Sequence, residues 1–74
     1  MHFDYSKLLG RIAEKMGTQA IFSKKMGLSE RTISLKLNGR IAFRQDEMIK
    51  ACEVLDIPKE EIGVYFFTPI VQRA

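Results

Sequence analysis

The sequence predicts an all-α fold, a compact unit of five short helices followed by an apolar C-terminal tail. Apolar residues recur at intervals of three and four over most of the chain, residues able to cap a helix precede these segments, and glycine follows them. With 74 residues the chain has the length of one domain, residues 1–74, because two separate cores would each be too small to fold alone.

The first two helices are defined by their caps and their apolar spacing. Asp4 can cap a first helix that ends at Gly17. One face of that helix carries its apolar residues: Tyr5, Leu8, Leu9, Ile12, Ala13 and Met16. Thr18 can cap a second helix that runs to Met26 and stops at Gly27.

Three further helices follow the same rules. Ser29 can cap a third helix, which Gly39 closes. A fourth is predicted over about residues 45–55, with two carboxylates in its first turn, where they complement the helix dipole. Pro58 suits the first turn of a short fifth helix that ends at Gly63, and the apolar tail after it is rich in residues that favour β-strands.

Charge is divided unequally along the chain. Residues 1–44 carry nine basic and three acidic side chains, a net charge of +6, whereas residues 45–74 carry three basic and six acidic side chains, a net charge of −3. A basic face attracts a polyphosphate, and an acidic face is repelled by it. The distribution favours a nucleic-acid partner for the first part of the chain, with an ordinary solvated surface as the alternative.

Several function classes lack the residues that they need. The single cysteine, Cys52, excludes an internal disulfide, and together with the single histidine, His2, it cannot form a zinc site. Cys52 is expected to fill the core, and a reducing, cytosolic setting follows from the cysteine usage. No apolar run is long enough to span a membrane, and no paired carboxylates or nucleophile–base set is present, so we expect no membrane association, no enzyme and no cofactor.

Residues 18–39 are predicted to carry the function. Two short helices joined by a three-residue turn that begins with glycine form a helix-turn-helix. Its inner side consists of Phe22, Met26, Leu28, Ile33 and Leu37. The outer side of its second helix keeps Glu30, Arg31, Ser34, Leu35 and Asn38, a chemically mixed set that an ordinary solvated helix rarely presents.

This segment resembles the helix-turn-helix of lambda repressor-like DNA-binding proteins of the Cro/C1 (XRE) type. The resemblance rests on Thr-Gln at 18–19, Met-Gly-Leu-Ser at 26–29, Ile-Ser at 33–34 and Asn-Gly at 38–39, and it extends over all five helices. It implies a sequence-specific regulator of transcription, such as a phage or prophage Cro-like repressor that occupies its operator through the major groove. One departure is Lys36, which stands where an apolar core residue is usual; its stem can lie on the core while its ammonium points outward, toward a phosphate.

The resemblance also implies roles for individual residues. In this family the second helix of the motif contacts base edges through its N-terminal part, which gives base-contacting candidates Ser29, Glu30, Arg31, Ser34 and Leu35. Arg31 can bind guanine, Glu30 can accept from cytosine N4, and Leu35 can contact a thymine methyl group. The candidates for phosphate contact are Thr18, Gln19, Lys36, Asn38 and Arg40.

Some of these residues have a structural alternative. Glu30 can instead stabilise the N-terminus of its helix, and Leu35 can be a partly buried side chain. Thr18 and Asn38 can serve only as caps. Three further basic residues are expected to be plain solvated charges: Lys24, Lys25 and Arg44.

The expected partner is double-stranded DNA, and the expected assembly is a homodimer on a palindromic operator, since one such unit makes few contacts with DNA. The apolar tail, residues 64–74, is the candidate dimer segment, with Tyr65, Phe66 and Phe67 folded back onto their own helices as the alternative. The implied location is the cytoplasm of a bacterial cell or of a phage-infected host. The alternative function is a protein-interaction adaptor or antirepressor that keeps this fold and recognises a polypeptide.

Overall fold

Five α-helices account for most of residues 3–70, the part of the chain that the computed structural model describes. They are α1 (Ser6–Met16), α2 (Gln19–Met26), α3 (Glu30–Leu37), α4 (Gln45–Leu55) and α5 (Ile62–Phe66), and a 3₁₀ turn (Lys59–Glu61) leads into α5. Within residues 3–70 there is no strand, and β-type pairing is limited to an isolated bridge between Phe3 and Pro69. The prediction of an all-α fold is therefore confirmed. His2 and Val71 lie outside the described residues.

The core lies where α1 meets α2, α4 and α5, and α3 packs against α2 on one side of it. Its buried members are Leu8, Ile12, Phe22, Met26, Ile33, Leu37, Phe43, Ala51, Cys52, Leu55, Ile57 and Phe66. Of the predicted inner side of the helix-turn-helix, four residues are fully buried and Leu28 is half-buried against them. That prediction is confirmed, and so is the expectation that Cys52 fills the core.

Helix α1 buries a narrower face than its apolar spacing predicts. The buried and half-buried members of that face are Tyr5, Leu8, Ile12 and Met16. Leu9 is 39% exposed and Ala13 is also exposed, because the other helices cover only one side of α1. The prediction that Asp4 is the cap is wrong: the N-cap of α1 is Tyr5, which makes no side-chain cap bond. Asp4 lies one position earlier, and its Oδ1 accepts from the Ser6 N–H at 2.8 Å. Hydrogen bonds from Ser6 also lower the pKa of the Asp4 carboxyl.

The C-terminal part differs from the prediction. The fifth helix was expected to end at Gly63, but α5 passes through this glycine and continues to Phe66, which is buried. Burying the Phe66 ring in the core outweighs the β-preference of this segment. After α5 the chain returns to the N-terminal segment, where the Asp4 N–H donates to the Thr68 carbonyl at 2.7 Å and Phe67 packs edge-on against Phe3.

The C-terminal end of α4 is held by an arginine of α1. Arg11 donates from Nε to the Leu55 carbonyl at 2.9 Å and from Nη2 to the Asp56 carbonyl at 2.6 Å. These carbonyls belong to the end of a helix, where no intrahelical donor remains for them. Asp56 itself has a φ of +58°, a left-handed conformation that ends the helix. Arg11, whose side chain is 23% exposed, thus holds α1 against the end of α4.

Candidate functional site

Helix α2 is capped at both ends, and a short turn joins it to α3. Thr18 is the N-cap of α2, and its hydroxyl accepts from the Ile21 N–H at 3.2 Å. At the other end the Gly27 N–H donates to the Lys24 carbonyl and the Leu28 N–H donates to the Ser23 carbonyl, at 3.2 and 3.0 Å. This pair of bonds is the Schellman arrangement, which closes the helix and redirects the chain toward α3.

Glycine is required at position 27 by its backbone conformation. Its φ is +72°, in the left-handed region that residues with a Cβ avoid. A close approach of the two helix backbones is not the reason for the glycine. A Cβ at Gly27 would meet only the Nζ atom of Lys50 within 4 Å, at 3.8 Å.

Helix α3 begins with a hydroxyl cap. The Ser29 Oγ accepts from the Thr32 N–H at 3.1 Å and lies 2.9 Å from the Thr32 hydroxyl, so Ser29 is the N-cap, as predicted. Because the Ser29 hydroxyl is already engaged with Thr32, its contribution to any contact with a ligand is secondary to its role as a cap. Its proposed contact with bases stays a prediction.

The outer face of α3 is open along its length. Glu30 and Arg31 are exposed in the first turn, and among residues 3–70 neither takes part in an ion pair. Ser34 and Leu35 follow one turn later and are half-buried. We call these four residues the α3 face. It offers a guanidinium, a carboxylate, a hydroxyl and an apolar side chain within two helical turns, which is a surface suited to specific recognition.

The C-terminal end of α3 is closed by a side chain. The Asn38 Nδ2 donates to the Ser34 carbonyl at 2.8 Å and lies 3.3 Å from the Ser34 hydroxyl. Asn38 therefore serves as a C-terminal cap, the structural alternative considered for it, while it remains exposed at the edge of the α3 face. Arg40 follows on the surface, with its N–H bound to the Leu35 carbonyl at 2.8 Å.

Lys36 corrects the sequence prediction. It was expected to point its ammonium outward to a phosphate, but the residue is only 5% exposed. Its Nζ donates to the Glu47 Oε1 at 2.8 Å and to the Ala42 carbonyl at 2.9 Å, and it lies 5.9 Å from the centre of the Phe43 ring. The carboxylate of Glu47 was not considered as a partner, and it draws the ammonium inward. Lys36 occupies the core position and leaves the set of phosphate candidates.

Glu47 is correspondingly held in its charged form. Burial on its own raises the pKa of the Glu47 carboxyl, but hydrogen bonds from the Lys36 ammonium and the Arg44 N–H, with the positive charges of both residues, lower it below its ordinary value. The Arg44 N–H lies 2.8 Å from the Glu47 Oε1. The two side chains are 6% and 14% exposed, so the pair is almost closed to water.

Around the α3 face the surface is basic but not uniformly polar. Gln19 stands exposed at the first position of α2, where backbone N–H groups are open to an anion. The exposed basic residues of segment 18–44 are Lys24, Lys25, Arg31, Arg40 and Arg44. Sequence reasoning missed two exposed isoleucines. Ile21 in α2 is 45% exposed and lines a shallow groove with Glu30. Ile41 after α3 is 43% exposed and lines another groove with Phe3 and Phe67. Ile21 could have been found, because the buried spacing of Phe22 and Met26 leaves position 21 outside.

Residues 3–70 contain no cluster of histidine, cysteine, aspartate and glutamate that is able to hold a metal ion. Over the same residues, no helix has both the length and the apolar character needed to cross a membrane.

Comparison with known proteins places the chain in a family. No curated protein matches its sequence. Among solved structures, it is similar to the modulator of repression (MOR) of the temperate bacteriophage TP901-1 from Lactococcus lactis, determined in solution, with 51% sequence identity over 97% of both chains and a TM-score of 0.81. The sequence profile of DUF739, described as a protein of unknown function, matches residues 1–69. The chain therefore belongs to the DUF739 family.

Proposed function

We propose that the protein is a regulator of transcription of the temperate-phage type and that the α3 face is its binding surface. The observation that carries this proposal is the open outer side of α3, with Arg31 exposed and Leu35 half-buried on a helix that is fixed at both ends by side-chain caps. The similarity to a phage protein named as a modulator of repression supports the regulatory role.

Double-stranded DNA is the first candidate ligand. A helix-turn-helix presents its second helix to the major groove, where Arg31 can bind guanine O6 and N7, Glu30 can accept from cytosine and Leu35 can contact a thymine methyl group. Gln19 at the N-terminus of α2 and Arg40 after α3 are both exposed and are the candidates for phosphate contact. In this function the protein occupies an operator as a Cro-like repressor of the lambda repressor-like type, acting as a homodimer on a palindromic site.

A repressor protein is the second candidate ligand, and specific observations favour it. Ile21 is 45% exposed and lines a shallow groove together with Glu30 of the α3 face, and isoleucine contributes more at a protein interface than beside phosphates. The acidic Glu30 in the first turn of α3 also suits a basic partner. In this function the protein is an antirepressor, and the name of its structural relative, a modulator of repression, fits this role.

One set of measurements tests the proposal and separates the two ligands. A mobility-shift selection from random duplexes is carried out with the wild type, with Arg31→Ala and with Lys59→Ala, which removes the same charge from an exposed position outside the α3 face. For DNA binding we expect one preferred base to be lost with Arg31→Ala only, and the affinity to fall with salt at a logarithmic slope of about −0.9 per phosphate neutralised.

For the antirepressor, the wild type selects no duplex. It instead releases the repressor encoded by the same phage from its operator, and Ile21→Ser and Arg31→Ala weaken this effect while Lys59→Ala does not. If the wild type neither selects DNA nor binds that repressor, the α3 face is not the functional surface and the proposal is wrong.

A further inference from the structure

A buried pair of opposite charges joins α3, α4 and the segment between them, residues 38–44, which we call the α3–α4 loop. The side chains of Lys36 and Glu47 are 6% and 14% exposed, and Nζ and Oε1 are 2.8 Å apart. Lys36 lies in the last turn of α3 and Glu47 in the first turn of α4. No other ion pair among residues 3–70 is buried to this extent: Arg44–Asp46, in the same region, is 74% and 71% exposed.

Each member of the pair also binds the backbone of the α3–α4 loop. The Lys36 ammonium donates to the Ala42 carbonyl at 2.9 Å, and the Glu47 carboxylate accepts from the Arg44 N–H at 2.8 Å. Between these two anchors lies Phe43, which is buried and packs edge-on against Tyr5 and Phe66. The C-terminal half of the loop is thus fixed by two directional hydrogen bonds and one buried ring.

Stability alone does not account for a charged pair at this place. Buried ion pairs lose much of their attraction to the cost of removing both charges from water, and well-packed apolar residues of similar volume often give an equal or higher stability. Such residues have no donor for the Ala42 carbonyl and no acceptor for the Arg44 N–H. Ala42 and Arg44 are exposed, so water can satisfy both groups if the pair is replaced. An apolar pair, however, cannot hold the α3–α4 loop in one position by hydrogen bonds.

We infer that Lys36 and Glu47 are positioning residues for the binding surface. By holding the α3–α4 loop at Ala42 and Arg44, they fix the exposed residues Arg40 and Ile41 beside the α3 face. The first half of the loop is tied to α3 itself, since the Arg40 N–H donates to the Leu35 carbonyl at 2.8 Å. The expected effect of the pair on ligand binding rests on the proposed function. The effect of the pair on the position of the α3–α4 loop does not depend on the ligand.

The test is a double substitution, Lys36→Met with Glu47→Leu, which removes both charges and keeps apolar bulk. Amide hydrogen exchange is measured for Arg44 and Arg40 and for the interior of α1. We expect the folded state to persist, the exchange rate of the Arg44 amide to rise by about tenfold or more, and the α1 amides to be unchanged. Asp46→Asn, which breaks only the exposed Arg44–Asp46 pair, is the matched control and is expected to leave all these rates unchanged.

A charge-reversed protein, Lys36→Glu with Glu47→Lys, separates positioning from simple attraction. It restores opposite charges, but a carboxylate at position 36 cannot donate to the Ala42 carbonyl and an ammonium at position 47 cannot accept from the Arg44 N–H. We expect the Arg44 amide to exchange fast in this protein as well. Slow exchange at Arg44 in the Lys36→Met, Glu47→Leu protein, or an equal increase at Arg44 and in α1, overturns the inference.

Binding is then measured with whichever ligand the wild type takes, operator DNA or repressor. We expect the apolar double variant to bind at least about tenfold more weakly, although it retains every residue of the α3 face. If the apolar double variant exchanges fast at Arg44 but binds the ligand as tightly as the wild type, the pair does not position the binding surface. If the wild type itself binds neither ligand, the proposed function fails while the exchange result still decides the positioning.

Discussion

Arg11 donates a hydrogen bond from its Nε atom to the carbonyl oxygen of Leu55 at 2.9 Å, across 44 positions of the chain. A second bond reaches the carbonyl of the next residue, Asp56, so that one guanidinium closes the C-terminal end of α4. The same side chain forms an exposed ion pair with Glu14 at 3.3 Å. This arrangement ties α1 to the C-terminal end of α4.

Replacement of Arg11 by methionine is expected to lower the free energy of unfolding by about 2 kcal/mol, because two hydrogen bonds from a charged donor are lost and the stem is kept. Urea unfolding followed by circular dichroism measures the effect. The control is Glu14→Gln, which removes only the exposed ion pair and is expected to change stability by less than about 0.5 kcal/mol. Equal effects of the two substitutions would show that the bonds to α4 contribute nothing beyond surface charge.

Local features of the fold could be predicted from the sequence, while contacts distant in sequence could not. Thr18, Ser29 and Gly27 define the helix-turn-helix through caps and a turn, which depend on neighbouring residues only. Lys36 could not be placed, because a lysine stem suits both a core and a surface, and the choice is made by Glu47, eleven positions further on. Arg11 has no local signal for its partners on α4. The end of α5 was missed because burial of Phe66 is a tertiary effect.

Two isoleucines, one in α3 and one in α2, are expected to differ in how much their substitution lowers stability. Ile33 is fully buried, and Ile33→Ala is expected to cost about 2–5 kcal/mol of stability through lost burial and a cavity. Ile21 is 45% exposed, and Ile21→Ala is expected to change stability by less than about 1 kcal/mol. Thermal and urea unfolding of both variants check this prediction. A large loss of stability with Ile21→Ala would show that this side chain supports the fold, and its place on the binding surface would then be untenable.

Acid is expected to destabilise the protein through Glu47. The pKa of the Glu47 carboxyl is lower in the folded protein than its ordinary value of 4.5. The carboxylate therefore contributes fully to stability above about pH 4.5, and this contribution is lost as the pH falls through the pKa of the folded state. Glu47→Gln leaves the buried Lys36 ammonium without its counter-charge and is expected to cost about 3 kcal/mol at neutral pH. Urea midpoints from neutral pH to about pH 3 should show the two proteins converging. A difference that stays constant with pH would mean that folding does not lower the pKa of this carboxyl.

Cys52 is expected to be unreactive in the folded protein. The thiol is 3% exposed, and burial raises its pKa, an effect that the positive charge of Lys59 only partly offsets. Reaction with a thiol reagent therefore requires opening of the core, and it should be about a thousandfold slower than for an unfolded thiol. Glu60→Cys in a Cys52→Ala background supplies an exposed thiol for comparison, since Glu60 lies at the surface. Similar rates for the two proteins would place Cys52 outside the core.

The C-terminal segment contains two neighbouring phenylalanines whose substitution tests folding and self-association separately. Phe66 is 1% exposed and packs edge-on against Phe43 with ring centres 5.2 Å apart, so Phe66→Leu is expected to lower stability by about 1 kcal/mol or more. Phe67 is 46% exposed and Ile70 is 51% exposed, which leaves both able to contribute to the homodimer expected from the apolar tail. Phe67→Ser should then weaken self-association at least about tenfold in sedimentation equilibrium, while Phe66→Leu at a temperature where it is folded should not. A wild type that sediments as a monomer at high micromolar concentration would rule out this segment as a dimer interface.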